Sequence, residues 1–292
     1  MIRMTAMKNF FIITNLAKDP DRSITDSIVR YIENRGGRAA VHIDSAAPED
    51  GRRSTEPDDI PEDTDGIIVL GGDGTLIRAA DDVVDRQIPL LGVNLGTLGY
   101  LTEIDRNSIF PALDALLEGR YQVESRMMLR GRVYHEGKLI SEESALNDIV
   151  IGRENSMHVI SITNYVNDAF LNSYRADGMI ISTPTGSTGY SLSVGGPLIS
   201  PEAHLFLMTP IAAHTLNTRS IILPEENRIT VRLGPGRDNT IEHAMAYFDG
   251  DRKAPMVTGD SVVIVRADRD VKITKIHNDS FLGTLRRKMS NI

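Results

Sequence analysis

The sequence has no cysteine among its 292 residues and no long apolar run. The absence of cysteine excludes disulfide bonds and thiolate metal sites, and it fits a reducing cytoplasm. No apolar stretch reaches the ~18 residues that a membrane-spanning helix needs. The N-terminal stretch has too short an apolar core, and no small-residue cleavage site, for a signal peptide. Together these absences predict a cytoplasmic globular protein with no membrane partner.

Excess positive charge is also missing. The formal net charge is −8 at pH 7, and the stretch from Asp44 to Asp65, with nine acidic and two basic residues, carries seven of these charges. Basic residues are not interleaved with aromatic ones, so the sequence argues against a nucleic-acid partner. Residues 45–65 show no apolar periodicity and contain three prolines. We therefore predict a mobile surface loop there, with no part in a functional site.

Strand-like and helix-like segments alternate in the first part of the chain. Ile24, Ile28 and Ile32 are spaced by four, which predicts a helix, and Gly36–Gly37 predict its end. Short apolar runs bounded by turn residues predict four buried strands, at 9–15, 39–44, 66–70 and 88–94. Further helices are predicted at 75–85 and 108–119. Such alternation predicts a parallel sheet covered by helices on both faces.

After about Tyr121 the pattern becomes β-rich. Hairpins are predicted to turn at Glu136–Gly137 and at Asn167–Asp168, and later short β-rich runs are separated by turn residues. We therefore predict an α/β N-terminal domain with a parallel sheet over 1–124. A mainly β, antiparallel and sandwich-like C-terminal domain follows over 125–275. A helical tail over 276–292 is predicted to pack back on the first domain.

One acidic residue lies among three glycines in the stretch Gly71–Thr75, directly after a predicted buried strand. In parallel sheets, ligands bind beyond the carboxyl ends of the strands. Glycine permits positive φ and close approach of the backbone to a phosphate, and the start of the next helix favours an anion. A carboxylate would repel a bare phosphate, so Asp73 indicates a substrate hydroxyl or a metal ion shared with phosphates. The alternative is that Asp73 caps the helix.

The stretch Tyr174–Pro197 is dense in hydroxyl groups and glycines. Its hydroxyls and free backbone amides could hold phosphate oxygens without a lysine. Ser187 or Thr188 is expected to cap a helix that starts near Tyr190. Tyr190 is expected either to stack on a base or to pack in the core.

Two weaker signals lie elsewhere in the sequence. Asn147 and Asp148 precede an apolar strand, and an amide beside a carboxylate suits sugar hydroxyls, but an Asx turn that opens a strand explains the pair as well. A second glycine-rich stretch, Gly92–Thr102, is expected either to line the same crevice as Gly71–Thr75 or only to allow close packing. The seven histidines show no zinc-binding spacing, so no metal-binding side chain is predicted.

Taken together, these motifs resemble those of the NAD kinase family, over most of the chain from about Phe10 onward. The matching stretches are 71–75, 94–99, 146–148, 175–197 and 214–219. The resemblance implies transfer of a phosphoryl group from ATP to the 2′-hydroxyl of the adenosine ribose of NAD, giving NADP. It also implies a site in the cleft between two domains, a divalent cation that is usually Mg²⁺, and a homodimer or homotetramer.

The resemblance also implies roles for individual residues. Asp73 would be the catalytic proton acceptor or orienter, and the donor phosphates would lie near Gly71, Gly72, Gly74 and Thr75. The residues implied to bind NAD are Asp73, Gly74, Arg78, Asn147, Asp148, His158, Arg175, Asp177, Thr188, Gly189, Tyr190, Ser191, Leu192 and Ser193. Gly189 stands where the family often has alanine, and Asp148 where it often has glutamate. Asp251 stands where a polar amide is frequent, and a carboxylate near a pyrophosphate is unfavourable, so contact between Asp251 and NAD stays open.

Two other interpretations compete with this one. A lipid kinase could share the Gly71–Thr75 motif, but the sequence shows no amphipathic basic helix for a membrane surface. A non-catalytic protein that senses dinucleotides could keep the same fold, but it would have no need of Asp73 together with an intact hydroxyl-rich stretch.

Overall fold

The computed structural model describes residues 4–44, 54–96, 99–154, 158–214, 218–276 and 281–290. They fall into two compact units, Met1–Arg126 with Asp270–Ile292, and Met127–Arg269. Among the described helices, none has both the length and the apolar character needed to cross a bilayer.

The helices and strands are numbered in chain order. The helices are α1 Ser23–Asn34, α2 Asp73–Val83, α3 Ile109–Leu117, α4 Tyr190–Ser193 and α5 Phe281–Ser290. The strands are β1 Asn9–Asn15, β2 Arg38–Asp44, β3 Gly66–Gly71, β4 Leu90–Asn94, β5 Ile104–Asp105, β6 Gln122–Arg126, β7 Leu129–His135, β8 Lys138–Ala145, β9 Asp148–Arg153, β10 Ile160–Val166, β11 Ala169–Ala176, β12 Gly178–Ser182, β13 Leu205–Ile211, β14 Ile221–Pro224, β15 Ile229–Leu233, β16 His243–Phe248, β17 Arg252–Val257, β18 Ser261–Arg266 and β19 Val271–Lys275.

The first unit is built on one sheet with the strand order β2-β1-β3-β4-β19-β6, and β5 pairs with β4. β1 to β4 are parallel, as the alternation of strands and helices predicted. Every residue of β3 and β4 is buried, as expected for a parallel sheet covered on both faces. Helix α1 buries Ile24, Ile28 and Ile32, and Gly36 follows its end with φ +77°, a conformation that favours glycine.

The second unit consists of two six-stranded antiparallel sheets, β11-β10-β15-β18-β7-β8 and β14-β13-β12-β9-β16-β17. Inward-facing side chains of both sheets share one hydrophobic core, in which Phe206 and Phe248 are the largest fully buried residues. The predicted antiparallel sandwich is therefore confirmed. Both predicted hairpin turns are present between paired strands, with positive φ at Glu136–Gly137 and at Asn167–Asp168.

The chain returns to the first unit earlier than the predicted boundary at 275. β19 pairs antiparallel with β6 over its whole length, and its Ile273 lies beside Leu90 of β4. A short apolar–polar alternation such as that of β19 predicts a strand but not the sheet it joins, since the partner strands lie far away in the sequence. Helix α5 also belongs to the first unit, where the Lys288 Nζ lies 4.5 Å from the centre of the Tyr100 ring.

Residues 54–65 of the acidic stretch, called the strap below, pack against the rest of the first unit, contrary to the predicted mobile loop. Residues 45–53 lie outside the described residues, but in the following part Thr55 and Ile60 are buried. Arg86 donates to the carbonyl oxygens of Pro57, at 2.7 Å, and Ile60, at 2.9 Å. The Asp65 carboxylate accepts from the backbone amide of Asn9 at 2.8 Å. These contacts are made by backbone carbonyl groups and by one apolar side chain. They produce no periodic pattern of apolar residues, so they cannot be recognised in the sequence.

We predict that Ile60→Ala destabilises the protein by about 2–5 kcal/mol, because it removes a buried side chain and leaves a cavity under the strap. The matched control is Ile43→Ala, since Ile43 is 40% exposed and should change stability by less than about 1 kcal/mol. The urea midpoints of the three proteins measure the difference. Equal midpoints for the two variants would show that the strap is not packed on the first unit.

Candidate functional site

The carboxyl ends of the central parallel strands carry polar residues that form a candidate site of the first unit. β1 ends at Asn15, β3 at Gly71 and β4 at Asn94. The Asn15 Nδ2 donates to Thr75 Oγ1 at 3.2 Å, and the Asn94 Oδ1 accepts from the Gly96 amide at 2.7 Å. The first bond joins the end of β1 to the first turn of α2, and the second shapes the loop after β4. Both lie at the carboxyl ends of parallel strands, where ligands bind in open parallel sheets. Thr97 and Leu98 of the second glycine-rich stretch lie outside the described residues.

Asp73 is the first residue of α2, but its side chain does not cap that helix. Its Oδ2 accepts from the Tyr100 amide at 2.6 Å, and its Oδ1 accepts from the amides of Leu101, at 3.2 Å, and Thr102, at 3.0 Å. The Thr102 hydroxyl donates to the same Oδ1 at 3.0 Å. The carboxylate is thus held in a fixed orientation by four donors, and these donors compensate its charge.

Glycine is present at the positions around Asp73 for different physical reasons. A Cβ at Gly99 would lie 1.8 Å from the Asp73 Oδ1, and one at Gly71 would lie 2.4 Å from the Thr75 hydroxyl, so both positions require glycine for close approach. At Gly72 and Gly74 a Cβ would meet no atom within 4 Å, which leaves the backbone open to a ligand. None of the glycines from 71 to 74 has positive φ, so that part of the expectation is wrong.

Arg78 and Lys18 are basic residues of the same unit that bear on the site. Arg78 of α2 pairs with the buried carboxylate of Asp44 at 3.1 Å, and Asp44 also accepts from the Ser54 hydroxyl at 2.7 Å. Lys18 follows β1, and its Nζ lies 3.7 Å from the position of a Cβ at Gly96. We did not identify Lys18 from the sequence, because a single exposed lysine in a loop carries no pattern.

The second unit has a candidate site of its own, in a pocket of about 550 Å³. The charged, amide and aromatic residues that line it are Asn147, Asp148, Arg153, Asp177, Tyr190, Tyr247 and Asp249. The Asn147 Oδ1 is buried and, among the described residues, has no hydrogen-bond partner. The Tyr190 side chain is 46% exposed, so the alternative that it serves the core is wrong.

Burial and like charge act on two carboxyl groups of this pocket. Burial, and then the neighbouring Asp249, raise the pKa of Asp148 to about 7. Burial raises the pKa of Asp249 to about 6, although backbone amides that donate to it oppose the shift. Carboxyl groups kept in such surroundings cost stability and are frequent in functional sites.

Most hydroxyls of the Tyr174–Pro197 stretch are engaged inside the protein, contrary to the expectation that they bind phosphate. Ser182, Thr183, Ser187 and Ser191 are fully buried. The Ser187 hydroxyl donates to the Pro184 carbonyl oxygen at 2.7 Å, and the Ser191 hydroxyl lies 3.2 Å from that of Thr209. Helix α4 starts at Tyr190 as predicted, but no side chain caps it and its N-cap residue is Gly189.

A second pocket of the same unit, of about 630 Å³, brings together His158, Arg175, Asp177 and His214. Asp177 lines both pockets and pairs with Arg153 at 3.4 Å. Residues 215–217 of the 214–219 motif lie outside the described residues. Asp251 lines neither pocket but raises the pKa of Asp249. Within the described part of the chain, no cluster of three or more His, Asp or Glu side chains could hold a metal ion.

Known proteins resemble this chain over nearly its whole length. Residues 12–121 match the model of the ATP-NAD kinase N-terminal domain, and residues 146–276 that of the ATP-NAD kinase C-terminal domain. An NAD kinase of Agathobacter rectalis is 46% identical over 98% of this chain and 99% of its own length. One of Lachnospira eligens is 40% identical over 97% of this chain and 100% of its own length.

Two solved structures share the fold. A yeast NADH kinase, complexed with NADH, has a TM-score of 0.82 and 24% identity, over 98% of this chain and 88% of the yeast chain. An NAD kinase from Archaeoglobus fulgidus, in complex with ATP, has a TM-score of 0.72 and 22% identity, over 97% and 99% of the two chains. At such identities the likeness establishes the fold alone.

The raised pKa of Asp148 leads to a stability prediction. Because its ionised form is disfavoured in the folded protein, stability falls as pH rises from about 4, where aspartate ordinarily titrates, to about 7. Asp148→Asn removes this loss, so we predict stabilisation of up to about 4 kcal/mol at pH 8. The gain should shrink towards zero near pH 4.

Thermal melts from pH 4 to 8 measure this dependence. The control is Asp168→Asn, in an exposed hairpin turn, which should show no such pH-dependent gain. A gain for Asp148→Asn that is as large at pH 4 as at pH 8 would contradict the raised pKa.

Proposed function

The chain belongs to the NAD kinase family and phosphorylates NAD at the 2′-hydroxyl of its adenosine ribose with ATP, and we propose how its residues perform this reaction. The observation that carries the proposal is the orientation of Asp73. Its carboxylate is fixed by three backbone amides and one hydroxyl at the edge where the parallel strands end. An oriented carboxylate beside open glycine backbone suits a reaction in which an alcohol attacks a phosphoryl group.

For catalysis, we assign to Asp73 the orientation of the 2′-hydroxyl and the acceptance of its proton. The 2′-oxygen forms a bond to the γ-phosphorus of ATP, the bond from that phosphorus to the bridging oxygen breaks, and ADP leaves. Since transition states of phosphoryl transfer are loose, alignment and charge neutralisation supply most of the rate. A carboxylate is a weak base, so the proton moves late, when the oxygen is already bonded to phosphorus.

For NAD, the pocket of the second unit offers hydrogen-bonding groups for a ribose and an aromatic face for a base. The unpaired Oδ1 of Asn147 accepts a hydrogen bond, and the Asp148 carboxyl group suits ribose hydroxyls. The exposed ring of Tyr190 offers a face for stacking on adenine. The remaining NAD contacts in this proposal are Gly74, Arg78, His158, Arg175, Asp177, Thr188, Gly189, Leu192 and Ser193, together with the backbone of Ser191.

For ATP, the donor phosphates bind at the open backbone of Gly72 and Gly74. Gly71 and Thr75, which pack against each other, complete this phosphate region. Lys18 adds a positive charge near the loop after β4. The divalent cation in this proposal is Mg²⁺, which usually binds one or two carboxylates, substrate phosphates and water. The described residues fit that mode, because Asp73 offers one carboxylate next to open glycine backbone. The ion would neutralise charge on the transferred phosphoryl group.

We also propose a cytoplasmic homo-oligomer, a dimer or a tetramer. The absence of cysteine supports the compartment, since it fits reducing surroundings. The family resemblance supports the assembly. Light scattering of the purified protein tests the oligomer, and a monomeric mass across working concentrations would contradict it.

Asp73→Asn tests the catalytic assignment. The variant keeps the size of the side chain and some hydrogen bonding but loses charge and basicity. We predict that kcat for NADP formation falls by about 10²–10⁴, while the affinity for NAD, measured by calorimetry, changes far less. The matched control is Asp105→Asn, because Asp105 also accepts from backbone amides, those of Asn107 and Ser108.

A purely structural role for Asp73 gives the opposite result. Both variants would then lose about 1 kcal/mol of stability and keep their turnover. If folded Asp73→Asn turns over within about threefold of the wild type, the proton-acceptor role is wrong.

Tyr190→Ala tests the NAD pocket. If the ring stacks on adenine, NAD binding should weaken by about 1–3 kcal/mol, the range found for base stacking on aromatic side chains. The melting temperature should hardly change, because the ring is half exposed. Phe170→Ala is the control, since Phe170 is 65% exposed and does not line the pocket. Unchanged NAD affinity for Tyr190→Ala would exclude the stacking contact.

A further inference from the structure

We propose that Asp249 is a positioning residue for NAD, which acts by fixing the backbone of Leu146–Asp148 so that Asn147 is preorganised in the pocket. The inference rests on the proposed NAD pocket of the second unit. Asp249 is not one of the residues that the family resemblance pointed to.

Three consecutive backbone amides converge on this one carboxylate. The Asp249 Oδ2 accepts from the Leu146 amide at 2.6 Å, and its Oδ1 accepts from the amides of Asn147, at 2.8 Å, and Asp148, at 3.0 Å. The Asp249 amide in turn donates to the Asp148 carbonyl oxygen at 3.0 Å. Asp249 adopts φ +49°, in the left-handed region, followed by Gly250 at φ +81°. This turn directs the carboxylate back towards the amides.

The carbonyl side of the same backbone is held from another element. The Thr183 hydroxyl donates to the Leu146 carbonyl oxygen at 2.6 Å, and the Thr183 amide donates to that of Asn147 at 2.9 Å. Gly186 packs so closely that a Cβ there would lie 2.1 Å from the Asn147 carbonyl oxygen. The backbone at Asn147 is therefore clamped on both sides, which fixes the position from which its side chain reaches the pocket.

This clamp matters for binding because the Asn147 Oδ1 is buried and unpaired. A buried oxygen without a partner gains most from a hydrogen-bond donor on a ligand. Fixing the backbone of Asn147 before the ligand arrives lowers the entropy lost on binding. Loss of the Asp249 carboxylate would leave three amides to find other partners, and the backbone would adopt other conformations. NAD would then bind more weakly, while the phosphoryl-transfer residues of the first unit would be untouched.

Asp249→Asn tests the proposal, because asparagine keeps the volume but places an amide donor against backbone amides. We expect KM and Kd for NAD to rise at least about tenfold, with kcat within about threefold and KM for ATP unchanged. The matched control is Asp260→Asn. Asp260 is also buried and accepts from the backbone amide of Val257 at 2.8 Å, but it does not line the pocket. This control should lower the melting temperature and leave NAD affinity unchanged.

If Asp249→Asn does not fold, Thr183→Val tests the same clamp from its carbonyl side and should also raise KM for NAD. Asn147→Ala separates this inference from the pocket on which it rests. If Asn147→Ala weakens NAD binding but Asp249→Asn only lowers the melting temperature as Asp260→Asn does, the positioning role is wrong. If neither Asn147→Ala nor Tyr190→Ala affects NAD binding, the pocket itself has been misassigned.

Discussion

Backbone amides outside regular hydrogen-bond ladders need acceptors, and the rest of the structure depends on how they obtain them. Aspartate carboxylates are the acceptors at several places in the chain. Asp19 accepts from the amides of Ile24 and Thr25 at the start of α1. Asp65, Asp82, Asp73 and Asp249 hold the amides of residues 8–9, 54–55, 100–102 and 146–148. Because a carboxylate offers several lone pairs, one side chain can satisfy two or three successive amides. Loops without internal structure thereby obtain fixed shapes.

The same arrangement supports the chemistry of the site. Amides compensate part of the negative charge of Asp73, so this carboxylate stays oriented and can still interact with a substrate hydroxyl. Asp148 differs, because no described donor to its carboxylate offsets the burial that raises its pKa. The protein thus tolerates two unfavourable carboxyl groups in the pocket, since burial also raises the pKa of Asp249, and other parts of the fold supply the stability that is lost.

Periodicity and turn chemistry predicted the elements that depend on neighbouring residues. The spacing of Ile24, Ile28 and Ile32 correctly predicted α1, and Asn167–Asp168 correctly predicted a hairpin turn. The fold class followed from the alternation of elements. What the sequence could not reveal are contacts between distant residues. The donors to Asp73 lie 27 to 29 residues away, and those to Asp249 more than 100. The sheet that β19 joins was missed for the same reason.

The place of β19 in the first sheet has a consequence for synthesis of the chain. β19 lies between β4 and β6, and β6 pairs with no other described strand. When the ribosome has made β1 to β6, β6 therefore has no partner, and it must wait until residues 127–269 have been added. At the usual speed of translation this takes roughly seven to thirty seconds. The second unit is continuous in sequence, so it can fold as a complete body on the ribosome while the sheet of the first unit is still missing a strand.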